Sequence, residues 1–332
     1  MSAIWVHGLS KSFTVKKKAA GLAASLKSLL RPELSERVAV APIDFTVGQG
    51  ETLAFLGPNG AGKSTTIKML TGILHPSSGE AAVLGFRPWT DRRRLAFHIG
   101  SVFGQKSQLW YHLPPADSFE LMSRIYELPR QDYCRRRDDL VERFGLGAYL
   151  QTPVRKLSLG ERMRCEIAAA LLHRPKIVFL DEPTIGLDVV VKQNIRKLIL
   201  EMNREEGTTI FLTSHDAGDI EQLCKRAIVI NHGQLILDQD VATMKRELLT
   251  HKTVRLQLAE KTAPPPLDGV EVTGGGETEA DLRLSVDTSR IAIEAVLAHL
   301  VRHCRIRDVT IEDPSMEEII THIYARNGEA SG

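Results

Sequence analysis

The chain is short of the residues that build disulfide frameworks and membrane spans. Four cysteines occur in 332 residues, Cys134, Cys165, Cys224 and Cys304. None are paired at C-x-x-C spacing, which excludes a thiolate metal site or disulfide scaffold and suits a reducing compartment. They read as buried or inert side chains. No apolar run approaches the roughly 20 residues needed to cross a bilayer. The start, MSAIWVHGLSK, lacks the charged, apolar and cleavage regions of a signal peptide. The expectation is a chain that stays in the cytoplasm and meets a membrane only through a partner. An excess of one charge is missing too: 43 Lys and Arg face 41 Asp and Glu, a net charge of +2. That argues against a dedicated polyanion-binding surface, so nucleic acid is not an expected partner. Two local basic runs, at 92–94 and 135–137, lie in polar helix-like stretches and read as solvated faces.

What is present is a phosphate-binding loop. Residues 57–65, GPNGAGKST, match G-x-x-x-x-G-K-[ST] and follow the apolar run TLAFL at 52–56. Glycines at Gly57, Gly60 and Gly62, with Asn59 between them, let successive backbone N–H groups turn inward around phosphates. The helix that starts near Gly62 adds its positive dipole end. In this pattern Lys63 reaches the β- and γ-phosphates, the Ser64 hydroxyl ligates Mg²⁺ and Thr65 bonds the α-phosphate. A nucleoside triphosphate site follows.

At 332 residues the chain exceeds one comfortable core, so a large and a smaller domain are expected. From residue 38 to about 248 strand-like and helix-like runs alternate (VAVAPIDFTV, TLAFLG, a helix at 64–74, AAVLGF, KIVFLDEP, TTIFLTSH), which predicts a parallel sheet flanked by helices. A hairpin is expected in AIVINHGQLIL, turning at Asn231, His232 and Gly233. A strand-poor middle reads as an inserted helical subdomain, about 106–165. After a first strand and turn at 4–13, a basic stretch looks inserted, about 15–37. Its core, 19–30, sets leucines at helical spacing, and it is either a membrane-touching helix or one packed on its own domain. APPP and GGG breaks then mark a change of composition. The chain divides into an α/β nucleotide-binding domain, 1–248, and a small α+β domain, 249–332, whose last helix, 315–324, starts with a capping box of Ser315 and Glu318.

The segments after the loop discriminate among nucleotide hydrolases. KIVFLDEP ends a buried strand in two carboxylates with different tasks. Asp181 holds Mg²⁺ through water and Glu182 polarises the attacking water. LSLGERMRCEIAAALLHRP comes just before it, with Ser158 and Glu161 forming a capping box that aims helix N–H groups outward. This segment resembles the LSGGQ signature of ABC ATPases, with Leu159 in place of the first glycine and Glu161 in place of glutamine. Other motifs fall in that family's order. Gln105 resembles the Q-loop glutamine that contacts Mg²⁺ and water. Residues 185–188, ending in Asp188, resemble the D-loop. His215 resembles the H-loop histidine at the γ-phosphate, and Phe13 the aromatic that stacks on adenine.

The resemblance covers about residues 3–248 and implies a P-loop NTPase fold of ABC type with ATP and Mg²⁺ as cofactors. It implies a dimer that sandwiches two ATPs, each between one subunit's loop and the other's Ser158 and Gly160. It also implies a separate integral-membrane permease partner, and hence a peripheral place at the cytoplasmic face of the cell membrane. Trp110, Tyr111, His112 and Leu113 would suit a groove for a permease helix, or be buried in the subdomain. A separate permease, the insertion after Phe13 and the small tail look most like type-2 exporter ATPases. A soluble ABC-type ATPase acting on nucleic acid or ribosomes usually shows fused cassettes, a long coiled coil or zinc-binding insertions, and this sequence has none. A nucleotide-dependent regulator is the remaining alternative, against which the pair Glu182 and His215 argues for turnover.

Overall fold

The computed structural model describes residues 2–16, 34–104, 107–214, 216–248, 251–260, 265–274 and 281–312. The chain forms two compact units, Met1–Asp238 and Gln239–Gly332. The division falls before the helix that ends at Leu248, whereas composition put the boundary after it.

In the first unit, β1 (Ser2–Lys16) and β2 (Leu34–Gly48) form a long hairpin. β3 (Thr52–Leu56) leads through the phosphate-binding loop into α1 (Lys63–Leu70). β4 (Ser78–Val83), α2 (Arg92–Ala96) and β5 (Ile99–Phe103) follow. The helical stretch holds α3 (Pro115–Ile125) and α4 (Arg130–Arg143), then a 3₁₀ turn (Val154–Lys156) and α5 (Leu159–Leu171). The chain then alternates β6 (Ile177–Asp181), α6 (Val189–Glu206), β7 (Thr209–Thr213), α7 (Ala217–Leu223) and β8 (Arg226–Asn231) before β9 (Gln234–Asp240).

Two sheets result. The six-stranded one has the order β5-β6-β7-β3-β8-β9, and its first five strands are parallel. TLAFL and TIFLT are buried at every position, as strands covered on both faces require. The expected hairpin closes it: His232 and Gly233 both have positive φ, 46° and 79°, the backbone of a type I′ turn. The other sheet is antiparallel, β2-β1-β4, and it takes the runs VAVAPIDFTV and AAVLGF away from the parallel sheet expected for them. The reason is legible in β2, where buried Ile43, Phe45 and Val47 alternate with exposed Pro42, Asp44 and Thr46. That is the pattern of a strand with one wet face. Phe45 packs on Phe55 and Phe211, ring centroids 5.9 and 6.4 Å apart, and so joins the two sheets. Burying such a ring contributes about 1.5–3 kcal/mol.

The bounds of the basic insertion need correction, since Val15, Lys16 and residues 34–37 are strand, paired as far as Lys16 opposite Leu34. Its helical core, 19–30, lies outside the described residues. The reading of 135–137 as solvated also fails at Arg136, which is 3% exposed. Its guanidinium donates to the Leu171 carbonyl and to both Glu206 oxygens, tying α4 to the ends of α5 and α6. Cys165 and Cys224 are buried, and burial pushes the Cys165 thiol up to about 12, which leaves it inert.

In the second unit, α8 (Val241–Leu248) precedes β10 (His251–Leu258), β11 (Val270–Gly274), β12 (Asp281–Asp287), α9 (Ile293–His303) and β13 (Ile306–Glu312). The strands form an antiparallel sheet, β11-β12-β10-β13. Every second residue, Val254, Leu256, Leu258, Leu282, Leu284 and Val286, packs in one core with Val296 and Leu300 of α9. The helix expected at 315–324 lies outside the described residues.

Candidate functional site

The site is assembled at the ends of the parallel strands, where loops are free to carry chemistry. The loop after β3 demands glycine for steric reasons. A Cβ at Gly57 would strike the Ile230 carbonyl, and one at Gly62 (φ 110°) would lie 2.7 Å from the Ala39 carbonyl oxygen. Asn59 and Gly60 (φ 82°) are exposed at the tip. The hairpin turn holds this loop from behind: Gly233 N–H donates to the Ala61 carbonyl (3.0 Å), and Ala41 N–H to Gly233 (2.9 Å). Lys63 is only 6% exposed and folds back on the loop, its ammonium donating to the carbonyls of Gly57 and, at 3.3 Å, Pro58. Burial lowers the pKa of this ammonium, and the carboxylates of Glu182 and Asp181 pull it back up.

Both carboxylates come from the end of β6. The Asp181 carboxylate accepts from the Ser64 hydroxyl at 3.0 Å and from the Thr213 hydroxyl at 2.5 Å, so α1, β6 and β7 meet at one side chain. A hydroxyl and a carboxylate converging in this way form the hard-oxygen donor set that suits Mg²⁺, which takes one or two protein oxygens and completes its shell from phosphates and water. Among the described residues no group of three or more His, Cys, Asp or Glu is arranged as an all-protein metal cage. Glu182 has φ 55°, a left-handed backbone rare for a residue with a side chain, and its N–H is held by the Thr213 carbonyl at 2.9 Å. Thr65 lies half-buried one position beyond Ser64.

Three further elements carry the remaining expected residues. Ser158 caps α5: its hydroxyl accepts from Glu161 N–H (3.3 Å), and the Glu161 carboxylate accepts from Ser158 N–H (2.8 Å). The backbone bond from Ser158 draws the Glu161 carboxyl below its usual range. A Cβ on Gly160 would come 3.1 Å from Val191, and one on Gly186 would come 3.1 Å from Leu159. Thus α5 begins pressed against the start of α6, and Leu159 fills space over Gly186. Asp188 caps α6 by accepting from Val191 N–H (3.0 Å), while Val189 and Val190 beside it are 69% and 66% exposed. Phe13 is 41% exposed on β1 opposite Arg37, close along β2 to the Ala39 carbonyl that abuts Gly62. Gln105 and His215 lie outside the described residues.

The geometry can be set beside known proteins. The ABC transporter family model matches residues 40–185. The daunorubicin/doxorubicin resistance ATP-binding protein DrrA of Streptomyces peucetius is 33% identical, over 85% of this chain and 86% of its own length. The chain belongs to the ABC transporter ATP-binding proteins. NatA of Bacillus subtilis is 35% identical over 60% of this chain and 80% of its own length. Among solved structures, cbiO1 from Clostridium perfringens, part of the transporter complex cbiONQ, superposes with a TM-score of 0.59 at 27% identity, covering 74% of this chain and 94% of that one. A dimeric post-hydrolysis cassette, MJ0796 bound to ADP and phosphate, shares the fold with a TM-score of 0.60 at 22% identity, covering 72% and 98%. The first unit is therefore an ABC-type P-loop NTPase cassette, and the chain is an ATP-binding, ATP-hydrolysing subunit of an ABC transporter.

Sequence reasoning missed several residues of this ABC cassette. Gly104 closes β5 against β6: its N–H donates to the Asp181 carbonyl (2.9 Å), and a Cβ there would meet the Glu182 carbonyl at 2.7 Å. Asp219, fully buried, accepts from Thr184, Ser214 and Arg196. Asp216 takes Lys192 and a second Arg196 nitrogen. This network pins the residue on each side of position 215. Burial pushes the Asp216 pKa up, but the bonds from Lys192 and Arg196 outweigh it and leave the carboxyl below its ordinary range. No motif spacing links Arg196 to Asp219. A clue was available in an arginine set among the apolar Ile195 and Ile199 of α6.

Proposed function

We propose that this chain is the ATPase of an exporter, working as a homodimer beneath a separate integral-membrane permease and held at the cytoplasmic face of the membrane through that partner. The observation that carries the reading is the convergence of Lys63, Ser64, Asp181 and Glu182 at one strand end of the cassette. In this reading Lys63 neutralises the β- and γ-phosphates against the N–H groups of 57–65. Ser64 and Asp181, with Gln105, hold Mg²⁺. Bound there, Mg²⁺ would supply positive charge that offsets the negative charge of the phosphates. Glu182 orients the attacking water and draws on its proton, His215 contacts the γ-phosphate, Thr65 bonds the α-phosphate and Phe13 stacks on adenine.

The far side of each ATP belongs to the second subunit, whose Ser158 and Gly160 meet the γ-phosphate beside Asp188. The exposed Ile185, Val189 and Val190 are the apolar surface that such pairing covers. ATP bridges two chains, so it favours the closed dimer, and cleavage removes the bridge and returns the population to open. Trp110, Tyr111 and Leu113 are exposed and offer amphipathic contact to a permease helix. Export is favoured by the relatives, among them the daunorubicin/doxorubicin resistance protein and the bacitracin transport protein BcrA of Bacillus licheniformis, 32% identical over 66% of this chain and 70% of its own length.

The test is Glu182→Gln, which keeps shape and removes the base. It should bind ATP, accumulate as a dimer on size-exclusion chromatography with ATP and Mg²⁺, and lose turnover by about 100-fold or more. A variant that stays monomeric at saturating ATP would overturn the sandwich. Membrane copurification should bring down a multi-spanning protein, and recovery of ribosomes instead would overturn the permease reading.

A further inference from the structure

One buried acid remains outside this scheme. Glu166 lies in the second turn of α5 and is 4% exposed. A lone carboxylate in such a place is costly unless every oxygen is bonded. Here the bonds all come from one short segment. The Ser107 hydroxyl donates to one Glu166 oxygen and Gln108 N–H to the other at 3.1 Å, while the Gln108 side-chain amide donates to the Glu166 carbonyl at 2.8 Å. Burial still raises this carboxyl's pKa, against the bonds from Ser107 and Gln108.

The segment so gripped opens directly into the exposed run 110–113, and that run is fastened at its other end too. Arg155 N–H donates to the Tyr111 carbonyl and Val154 N–H to the Leu113 carbonyl, each at 3.0 Å. Val154 and Arg155 stand just ahead of Ser158. The aromatic run is thereby hydrogen-bonded directly to the approach to the signature, and through the adjoining Ser107 and Gln108 to the body of its helix.

We propose that Glu166 is a positioning residue that fastens the exposed run 110–113 to the signature helix, so that displacement of Ser158 and Gly160 by nucleotide is delivered to the membrane partner. The inference rests on the reading of 110–113 as the partner-facing surface. A hydrophobic side chain at 166 would fill the same volume but release Ser107 and Gln108, so the segment would no longer follow the helix. Coupling of this kind is a free energy between two surfaces and is lost without either surface being altered.

The test compares Glu166→Ala, Glu166→Gln and Ser107→Ala, each as the full chain alone and as the complex that copurifies with it from membranes. For Glu166→Ala, kcat and KM for ATP of the chain alone should stay within about twofold of the parent, while the complex loses about tenfold of its partner-stimulated kcat. Glu166→Gln keeps an acceptor for Gln108 N–H and should fall between. An equal fractional loss in the chain alone and in the complex would mark Glu166 as merely structural and overturn the proposal, as would undiminished stimulation. If Glu166→Ala does not fold, Ser107→Ala carries the same comparison, because it leaves the carboxylate bonded to Gln108. The paired variant Trp110→Ala/Tyr111→Ala separates the two readings. If it still recovers the partner in full, the surface reading falls and this inference with it. If it loses the partner while Glu166→Ala stays fully coupled, the fastening alone is wrong.

Discussion

The phosphate-loop region of the cassette and the region where α5 and α6 begin are built to opposite rules. Around the phosphate loop the polar groups are satisfied within the chain: Lys63 is buried against loop carbonyls, and Asp181 takes hydroxyls from Ser64 and Thr213. Around the start of α5 and α6 the caps are made, but Leu159, Ile185, Val189 and Val190 stand exposed. The first region is preorganised, with its electrostatics set before any ligand arrives. The second is a rigid frame with an uncovered apolar surface, which suits a contact that forms and breaks. In the proposed dimer, one chain thus carries the loop side of one site and the opposite side of another.

That contrast can be broken from either side. The largest effect is expected from Lys63→Ala, which removes a desolvated charge from the first region and should weaken ATP binding by about 100-fold. A fluorescent nucleotide titration reads this, and unchanged affinity would move the nucleotide away from this loop. Next comes Asp219→Ala, behind the strand end. It strips Thr184, Ser214 and Arg196 of their shared acceptor, and losing one partner of a buried ion pair costs about 3–5 kcal/mol. Urea unfolding of the first unit measures it, and a loss near zero would mean that Asp216 alone satisfies Arg196.

Smaller changes sharpen the second region. Ser158→Ala should cost about 1 kcal/mol of stability through the lost cap. It should also weaken the ATP-dependent dimer of the Glu182→Gln background, because the cap orients the helix N–H groups. A dimer as tight as the parent's would separate capping from nucleotide contact. The smallest effect is in pH. Glu161 has a depressed folded pKa, so its cap contributes fully above the ordinary glutamate pKa and is lost as pH falls through the depressed value. An NMR titration of the Glu161 carboxyl should therefore show its midpoint below that of a free glutamate, and Ser158→Ala should raise it.

Much of the loop side was legible because its chemistry demands residue types at fixed spacing along one segment. Gly57, Gly62, Lys63 and Ser64 are neighbours in sequence as well as in space, and the Ser158–Glu161 cap joins residues three apart. Residues that act across elements were not legible. Arg136 sits in a run of arginines, yet alone among the three it turns inward to the Leu171 carbonyl and Glu206. Gly104 looked like any glycine before Gln105 until β5 and β6 were seen to close on it.

The sequence by itself determined the nucleotide loop, the acidic end of β6, the Ser158–Glu161 cap and the hairpin turning at 231–233, because each rests on local backbone geometry or on the period of apolar residues. Only the tertiary structure decided that the first strands leave the parallel sheet for an antiparallel one, that Arg196 on α6 pairs with Asp216 and Asp219, and that Glu166 grips the segment 107–109. The two side-chain pairings, Arg196 with Asp219 and Glu166 with Ser107 and Gln108, join residues more than 20 apart, and burial, which makes an unbonded charge prohibitive, selected partners that no spacing rule encodes.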